Sequence, residues 1–289
     1  MTIFEETYAL ANGVEIPKIA LGTWLVDNEA VKTAVKNAIK IGYRHIDTAQ
    51  AYGNEQGVGE AVRNSGIDRE RMFVTSKVAA EHKTYQSTMN SIDESLEKMG
   101  FEYIDMMLIH SPQPWIEVNQ SENRYMSENK EVWQAMEDAL AAGKLRAIGV
   151  SNFLEKDLSN IMDGCRVKPM VNQVLAHITN TPFDLIDYCR TQGMQVEAYS
   201  PVAHGEALKN SEIIQMAEKY GVSPARLCIR YDIQLGLIVL PKTTNISHME
   251  ENADMGFEIS PEDMEILKGL EHIKDYGESS SFPVYGGKL

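Results

Sequence analysis

The chain has few basic residues for its length. Its 289 residues include 27 Lys and Arg against 42 Asp and Glu, which leaves a formal net charge of −15 at neutral pH. Nucleic acids and anionic membranes bind to basic surfaces, so this balance excludes both as the main partner. An anionic ligand must therefore be bound by a local group of donors against the overall negative field.

Cysteine is scarce as well, with three residues that are far apart and form no C-x-x-C pair: Cys165, Cys189 and Cys228. Each lies in a helix-like, partly apolar stretch, so we expect buried, inert thiols in a reducing compartment rather than disulfides. The seven histidines form no H-E-x-x-H pair, the spacing of one common zinc site. The sequence therefore predicts a protein without a metal.

The chain also lacks the marks of a membrane or secreted protein. Residues 1–6 contain two acids and no basic residue, unlike the start of a signal peptide. No apolar run approaches the roughly 20 residues that cross a bilayer. There is no low-complexity segment and no linker-like change of composition. We expect a cytoplasmic monomer or weak oligomer that forms one domain over residues 1–289.

The sequence does contain a regular alternation of short apolar strands and amphipathic helices. We predict eight strands, at 19–22, 44–47, 73–77, 103–110, 147–150, 170–174, 195–200 and 236–240. Helical periodicities lie between them, at 29–41, 56–62, 84–99, 129–142, 154–162, 183–191 and 224–234. Asn54 can cap the helix at 56–62, because Asn accepts hydrogen bonds from the free N–H groups of a first turn.

This alternation predicts a closed barrel of parallel strands. A parallel return needs a crossover, usually a helix. Eight strand–helix units in roughly 250 residues fit a (β/α)8 TIM barrel better than an open doubly wound sheet. Asn12-Gly13 supplies the positive φ of a tight turn and predicts a short N-terminal β-hairpin. Two additional C-terminal helices are expected after the last strand, from about Ser247 and about Pro261.

Polar residues are concentrated where such a barrel has its active site, at the C-terminal ends of the strands. Seven consecutive predicted strands end in, or are followed by, polar or aromatic groups: Asp47, Lys77, His110, Ser151 with Asn152, Gln173, Tyr199 with Ser200, and Lys242. Core packing explains any one of them. The complete series indicates a functional site.

Three of these residues, together with Tyr52 in the loop after the second strand, make a coherent acid site. A phenol with a pKa near ~10, such as Tyr52, is a poor acid at neutral pH, but a nearby ammonium stabilises the phenolate and lowers that pKa. Lys77 can supply this charge, Asp47 can keep Lys77 protonated, and His110 can orient a carbonyl oxygen. Such a site protonates an oxygen as it becomes an alkoxide, which is what carbonyl reduction by hydride requires. Tyr199 offers a flat face for a nicotinamide ring.

Eight motifs span almost the whole chain: Leu-Gly-Thr-Trp (21–24), Gly-Tyr-Arg-His-Ile-Asp-Thr-Ala-Gln-Ala-Tyr-Gly-Asn-Glu (42–55), Val-Thr-Ser-Lys (74–77), Leu-Ile-His (108–110), Gly-Lys-Leu-Arg-Ala-Ile-Gly-Val-Ser-Asn-Phe (143–153), Val-Asn-Gln (171–173), Glu-Ala-Tyr-Ser-Pro (197–201) and Leu-Pro-Lys-Thr (240–243). In this order the chain resembles the aldo-keto reductases, most closely the bacterial group related to diketogluconate reductase. The resemblance implies a (β/α)8 barrel, an NAD(P)H cofactor, no metal, and small carbonyl compounds as substrates.

The resemblance also implies a role for individual residues. Asp47, Tyr52, Lys77 and His110 match the catalytic tetrad, with Tyr52 as general acid. Ser151, Asn152 and Gln173 would bind the nicotinamide carboxamide, and Tyr199 would stack beneath the ring. Further implied cofactor contacts are Gly22, Thr23, Trp24, Asp47, Ser200, Pro201, Lys242, Thr243, His248, Glu251 and Asn252. Implied substrate contacts are Trp24, Tyr52, His110 and Ser111.

Three positions depart from the family pattern. Ser111 replaces a tryptophan after strand four, which removes an indole from the expected pocket wall. His248 replaces an arginine, a weaker partner for the adenosine 2′-phosphate, so we expect NADPH as cofactor with NADH also accepted. The stretch 174–177, Val-Leu-Ala-His, replaces a more usual Glu-Tyr-His or Glu-Cys-His.

Two other functions compete with carbonyl reduction. One is a non-catalytic redox sensor that binds the nucleotide on the same fold, which loss of a tetrad residue would favour. The other is a lyase with Lys77 as Schiff-base nucleophile, but a neighbouring Asp47 keeps the lysine charged and unreactive. Gly57-Val-Gly59 resembles half of a dinucleotide fingerprint, yet its place after Tyr52 favours a turn and helix entry.

Overall fold

The structure, a computed structural model, describes residues 2–118 and 120–285. Strands β1 (Thr7–Ala9) and β2 (Glu15–Pro17) form the predicted antiparallel hairpin. Gly13 in its turn has a φ of 83°, which glycine adopts without strain. Leu10 and Ile16 share a buried cluster with side chains of the barrel interior, among them Met106 and Ile238. The hairpin therefore closes the N-terminal end of the barrel.

Eight further strands form one parallel sheet in chain order: β3 (Leu21–Gly22), β4 (His45–Asp47), β5 (Phe73–Val78), β6 (Ile104–Ile109), β7 (Leu145–Ser151), β8 (Val171–Leu175), β9 (Gln195–Tyr199) and β10 (Ile238–Leu240). Parallel bridges from Ile19 to Val239 and from Gly22 to Lys242 join the first strand to the last. This closure confirms the predicted (β/α)8 barrel.

Ten helices surround the sheet within the described ranges: α1 (Asn28–Ile41), α2 (Glu55–Arg63), α3 (Tyr85–Met99), α4 (Met126–Ala141), α5 (Glu155–Met162), α6 (Phe183–Thr191), α7 (Ser211–Tyr220), α8 (Pro224–Gln234), α9 (Ile246–Ala253) and α10 (Pro261–Lys268). The two helices after the last strand, α9 and α10, begin close to the predicted positions. Helix α9 packs against both α8 and α1 and so completes the outer ring.

Helix α7 is absent from the sequence-based prediction. Ile213 and Ala217 are buried, and Met216 and Tyr220 pack against the same cluster, so the apolar residues have the spacing of an amphipathic helix and α7 could have been predicted from the sequence. Its ends also follow the usual rules. Asn210 accepts hydrogen bonds from the N–H groups of Glu212 and Ile213, and Gly221 ends the helix in the left-handed conformation.

The glycines of the 57–59 stretch lie inside α2 and allow close helix packing. A Cβ atom at Gly57 would lie 2.3 Å from the carbonyl oxygen of Asn28, and one at Gly59 would lie 2.3 Å from that of Met99. Both distances are below any normal contact, so these positions let α2 approach α1 and the end of α3. The glycines therefore serve the structure of the barrel.

Asn54 lies at the N-terminus of α2, but the predicted cap is wrong because its side chain makes no capping hydrogen bond. Its Oδ1 accepts from the Thr48 hydroxyl at 2.6 Å. Its Nδ2 donates to the carbonyl oxygens of Thr23 at 3.0 Å and Val26 at 2.8 Å. Asn54 therefore links the loop that carries Tyr52 to the loop after β3. Buried polar groups need hydrogen-bond partners, and the Asn54 side chain pairs with these groups instead of capping α2.

The remaining sequence-based expectations concern thiols, metals and membranes. Cys189 in α6 and Cys228 in α8 are buried, whereas Cys165 lies in the loop after α5 and is half-buried, and all three are free. Within residues 2–118 and 120–285, no group of three or more potential ligands could bind a metal ion. Over the same ranges, no helix is long and apolar enough to cross a membrane.

Candidate active site

A cavity of about 600 Å³ lies at the C-terminal ends of the barrel strands. It brings together many of the residues that the sequence predicts for the site: Gly22, Thr23, Trp24, Asp47, Tyr52, His110, Ser151, Asn152, Gln173, Tyr199, Ser200, Pro201 and Lys242. Lys77 is fully buried directly behind this wall. Because parallel strands end at the same rim, residues 22 to 242 in sequence converge on one cavity.

The ammonium group of Lys77 is fully hydrogen-bonded. Its Nζ donates to Asp47 Oδ1 at 2.7 Å, to the Thr48 carbonyl oxygen at 2.9 Å and to the Tyr52 hydroxyl at 3.4 Å. An ammonium has three hydrogens and no lone pair, so the Tyr52 oxygen must be the acceptor in the third contact. The hydroxyl hydrogen of Tyr52 is thereby left free to point into the cavity.

Asp47 links this pair to the next part of the wall. Its Oδ2 accepts from Nε2 of Gln173 at 2.9 Å, while its Oδ1 is used by Lys77. The Thr23 hydroxyl donates to the Asp47 carbonyl oxygen at 2.9 Å, which joins the ends of β3 and β4. Both oxygens of the Asp47 carboxylate are therefore satisfied, and the group is fixed in one orientation.

The protonation states follow from burial and from the Lys77–Asp47 pair. Burial alone lowers the pKa of Lys77, but the attraction of Asp47, with help from Tyr52, outweighs it and raises that pKa. Burial raises the pKa of Tyr52, and the lowering by Lys77 does not compensate for it. The expected net lowering of the phenol pKa is therefore wrong for this structure, because desolvation opposes ionisation more strongly than the ammonium favours it. Tyr52 is a neutral phenol at physiological pH.

His110 is a neutral imidazole in the same wall. Its ring centroid lies 5.6 Å from that of Tyr52, and its Nδ1 is buried without a hydrogen-bond partner among the described residues. Burial, together with the charge of Lys77, lowers the pKa of His110 well below its usual value. A neutral imidazole can donate one hydrogen bond to a substrate oxygen, but it is a poor source of a whole proton.

The residues after β7 form a hydrogen-bonded frame. Asn152 adopts a positive φ of 62°, a conformation that asparagine tolerates better than most residues. Its Nδ2 donates to the His110 carbonyl oxygen at 3.0 Å and to Ser151 Oγ at 3.1 Å. Its Oδ1 accepts from the Tyr199 hydroxyl at 2.7 Å. This frame links the backbone of His110 and the hydroxyl of Tyr199 to the same Asn152 side chain.

Gln173 presents its other amide atom to the cavity. Its Nε2 donates both to Asp47 and, at 2.7 Å, to Glu197 Oε2. No hydrogen bond within residues 2–118 and 120–285 reaches its Oε1, and Gln173 lines the cavity. An acceptor therefore faces the space in which a ligand with an N–H group could bind.

The family assignment follows from comparison with known proteins. Residues 18–272 match the sequence model of the aldo/keto reductase family. The chain belongs to the aldo/keto reductase family. It is therefore an oxidoreductase that depends on NAD(P)H and acts on carbonyl compounds.

Similar reductases match over nearly the whole chain. The chain is 42% identical over 271 residues to glyoxal reductase from Bacillus subtilis, covering 93% of this chain and 94% of that protein. It is 37% identical to 9,11-endoperoxide prostaglandin H2 reductase from Trypanosoma cruzi, covering 93% of this chain and 92% of that protein. It superposes on the aldose reductase from Schistosoma japonicum with a TM-score of 0.85 at 31% identity, covering 98% and 99% of the two chains. The diketogluconate-related group in particular stays a prediction.

The substrate end of this reductase differs from the expected one. Ser111 is buried, accepts a hydrogen bond from the Gln113 N–H at its Oγ, and does not line the cavity. The lining of the cavity therefore gives no support to the predicted substrate contact of Ser111, which stays a prediction. Trp115, four residues later, lies edge-on to His110 with ring centroids 4.9 Å apart and lines the cavity. Trp115 therefore supplies an indole to the cavity wall from a loop position that no sequence motif marks.

The C-terminal tail supplies further lining that the sequence did not identify. Phe282, Pro283 and Val284 line the cavity, and the Phe282 ring lies 4.8 Å from Trp24. Tyr285 is buried with its hydroxyl 2.7 Å from Ser200 Oγ. A cluster of aromatic residues near the end of a chain is the pattern that could have indicated this contact.

The remaining predicted cofactor residues lie beyond the cavity. Thr243 follows β10, and three residues lie on α9: His248, Glu251 and Asn252. None of the four is among the lining residues described for the cavity. His248 is exposed, whereas Asn252 is buried. All four follow Lys242 in the sequence, and their contacts with the cofactor stay predictions.

Proposed function

We propose that this reductase converts aldehydes and ketones to alcohols, with the Tyr52 hydroxyl as the proton donor. The observation that carries the proposal is the direction of the hydrogen bond from Lys77 to Tyr52. Because the Tyr52 oxygen accepts this bond, its own hydrogen is free for a substrate oxygen in the cavity. The donor is neutral at physiological pH, so it has a proton to give.

The other three tetrad residues support this transfer. The charge of Lys77 stabilises the phenolate as Tyr52 loses its proton, and Asp47 keeps Lys77 charged. His110 donates one hydrogen bond that fixes the substrate oxygen near Tyr52. Lys77 and Asp47 therefore act on the Tyr52 oxygen, and His110 acts on the substrate oxygen that Tyr52 protonates.

The residues present fit a nicotinamide dinucleotide. The free Oε1 of Gln173 suits the N–H2 group of a carboxamide, and Tyr199 offers a ring face beside it. Lys242 is the one Lys or Arg among the described lining residues, so it suits an anionic diphosphate. A bound NAD(P)H supplies the hydride. Gln173 and Tyr199 would orient its ring. The positive charge of Lys242 would attract its negative diphosphate, which the overall negative charge of the protein repels.

The lyase alternative is disfavoured by the state of Lys77. A Schiff-base lysine must be neutral to attack, and such lysines have lowered pKa values. The pKa of Lys77 is raised, and all three of its hydrogens are engaged. Borohydride trapping with a carbonyl substrate separates the two reactions, since only the lyase forms a reducible adduct with the protein. Turnover of carbonyl compounds separates the reductase from a non-catalytic redox sensor.

We propose an uncharged carbonyl compound as substrate, with α-dicarbonyls such as glyoxal as the first to test. The identity to glyoxal reductase motivates this choice. The substrate end is formed by apolar and aromatic side chains, among them Trp24, Trp115 and Phe282. These offer no cation for a carboxylate, so sugar acids fit the cavity less well. A panel of aldehydes, α-dicarbonyls and keto-sugars with both cofactors tests the proposal.

Trp115→Ala is expected to shift substrate preference toward bulky ketones. Removing the indole beside His110 takes away apolar contact for a small aldehyde and makes room for a larger group. The kcat/KM ratio of a bulky ketone to a small aldehyde should rise by roughly 10-fold or more, the scale of a few methylene contacts. Ile116→Ala is the matched control, because Ile116 is 83% exposed and does not line the cavity. Equal kcat/KM ratios in the two variants would show that Trp115 does not contact the substrate.

We propose NADPH as the preferred cofactor, with NADH usable, and His248→Arg tests this. An Arg fork binds a 2′-phosphate with two charged hydrogen bonds, whereas a histidine cannot form this bidentate contact. The variant should tighten NADPH by about 1.5–3 kcal/mol, with little gain for NADH. Dissociation constants of both cofactors for wild type and variant decide it, and equal tightening of both would place His248 away from the 2′ position.

A further inference from the structure

Glu197 is a fully buried carboxyl group beneath the cavity. It lies on β9, two residues before Tyr199, and has no exposed surface. Its Oε2 accepts from Nε2 of Gln173, the same nitrogen that donates to Asp47. Its Oε1 has no hydrogen-bond partner among the described residues. The amide NH2 group of Gln173 therefore gives one hydrogen to each of two carboxyl groups, and the second oxygen of Glu197 is left without a partner among the described residues.

The nearest candidate cation for Glu197 is uncharged. His45 on β4 has its Nε2 4.0 Å from Glu197 Oε1, beyond a hydrogen bond. That nitrogen lies 2.9 Å from the Thr75 hydroxyl, and Nδ1 lies 3.4 Å from the Pro17 carbonyl oxygen. Burial lowers the pKa of His45 to about 3, so the ring is neutral across the physiological range. His45 cannot neutralise a Glu197 carboxylate.

Lys77 does not neutralise it either. Its charge is matched by Asp47 in a direct contact, and its other hydrogens go to Thr48 and Tyr52. An ionised Glu197 would place a second negative charge beside Asp47 in the dry barrel interior. Burial, followed by the charge of Asp47, raises the pKa of Glu197 to about 8, although Gln173 and Lys77 oppose this.

We propose that Glu197 is a positioning residue of the reductase site that works as an uncharged carboxylic acid. Its hydrogen bond keeps the amide nitrogen of Gln173 directed toward Asp47 and Glu197 and away from the cavity. The amide oxygen of Gln173 then faces the cavity and accepts from the nicotinamide carboxamide. Glu197 also leaves the Asp47–Lys77 pair electrically balanced. The inference rests on the proposed function, because it assigns the cavity face of Gln173 to the cofactor.

The proposal has a consequence for the pH dependence of the reaction. As the pH rises through about 8, Glu197 ionises. The new charge next to Asp47 disfavours a phenolate at Tyr52, so proton donation becomes harder before Tyr52 itself ionises. The charged and titratable groups that face Glu197 from the packed strands are Asp47, Lys77 and His45. The alkaline fall in kcat/KM therefore belongs to Glu197.

The test compares Glu197→Met with Glu197→Gln. Glu197→Met removes an acceptor from Gln173, so the Kd of NADPH, measured by protein fluorescence at pH 7, should rise by about 10-fold, the scale of one hydrogen bond. Glu197→Gln restores a neutral acceptor and should recover most of this affinity. We expect the wild-type kcat/KM to fall near pH 8 as Glu197 ionises, and Glu197→Gln should lack this fall. Recovery of affinity together with loss of that fall supports the proposal.

Asp232→Asn is the matched control. Asp232 on α8 is fully buried, its pKa is raised well above the usual value by burial, and it does not line the cavity. Acids with raised folded pKa values lose stabilisation as the pH rises from the unfolded to the folded pKa. Glu197→Gln and Asp232→Asn should therefore both flatten the decline of Tm with pH, but only Glu197→Gln should alter the kcat/KM profile.

Two outcomes overturn the proposal. If Glu197→Gln binds NADPH as weakly as Glu197→Met, the site needs the charge of Glu197 and not a neutral acceptor. If wild type and Glu197→Gln share the same alkaline profile, another group is responsible for it. The Kd and Tm measurements need no turnover. A wild-type protein that failed to reduce carbonyls would therefore refute the proposed function, while the Kd comparison would still show whether Glu197 acts on Gln173 as a neutral acceptor.

Discussion

Tyr52→Phe is expected to abolish carbonyl reduction while leaving the Kd of the cofactor nearly unchanged. The variant loses the hydroxyl whose hydrogen faces the cavity and keeps the ring that packs against His110. The loss in kcat should exceed the ~10²–10⁴-fold typical of acid catalysis, provided that no water replaces the donor. Steady-state kinetics and a fluorescence titration with NADPH measure the two quantities.

Tyr199→Phe is the matched control for the loss of a hydroxyl from the same cavity. The Tyr199 hydroxyl donates to Asn152, so its hydrogen is already engaged. Its removal should lower kcat far less than Tyr52→Phe does. Turnover of Tyr52→Phe within a few-fold of wild type, or equal losses in the two variants, would contradict the role of Tyr52.

Lys77→Met is expected to be the second severe variant, with effects on both rate and stability. It removes the charge that stabilises the Tyr52 phenolate, and electrostatic groups of this kind contribute ~10²–10³-fold to kcat. It also leaves the buried Asp47 carboxylate without its partner, which costs about 3–5 kcal/mol of unfolding free energy. The residual rate should respond differently to pH, because the phenol has lost its cation. Kinetics from pH 6 to 10 and thermal unfolding measure these effects.

The double variant Asp47→Asn with Lys77→Met separates stability from chemistry. It removes both charges of the buried pair, so much of the lost unfolding free energy should return. Activity should stay low, since Tyr52 still lacks its ammonium neighbour. A single Lys77→Met variant that folds and keeps the wild-type rate would show that Lys77 does not assist proton transfer.

The barrel and the cavity floor could be predicted because both follow from periodicity. Strands alternate with helices along the chain, and a parallel barrel brings every strand end to one rim. Asp47, Lys77 and Gln173 could therefore be placed together although they are far apart in sequence. Their hydrogen bonds, seen only in the structure, show which atoms donate and which accept.

The parts that could not be predicted depend on loops and on burial. Trp115 and the tail residue Tyr285 reach the cavity region through loop paths that have no periodicity. The raised pKa of Tyr52 reflects desolvation, and the sequence showed only its charged neighbour. Asn54 had the position of a cap, but three buried groups engaged its side chain instead. In each case the outcome depends on a tertiary contact or on burial, which the local sequence pattern does not show.

The central claim is that Tyr52 protonates a carbonyl oxygen whose carbon receives hydride from the cofactor. Its most direct test is a single-turnover reaction of wild type and Tyr52→Phe with NADPH that carries deuterium at the transferable C4 position. The account predicts one deuterium on the carbinol carbon for each NADPH consumed by wild type. It predicts almost no alcohol from Tyr52→Phe with the cofactor fully bound. Alcohol without deuterium, or equal alcohol from the two proteins, would contradict it.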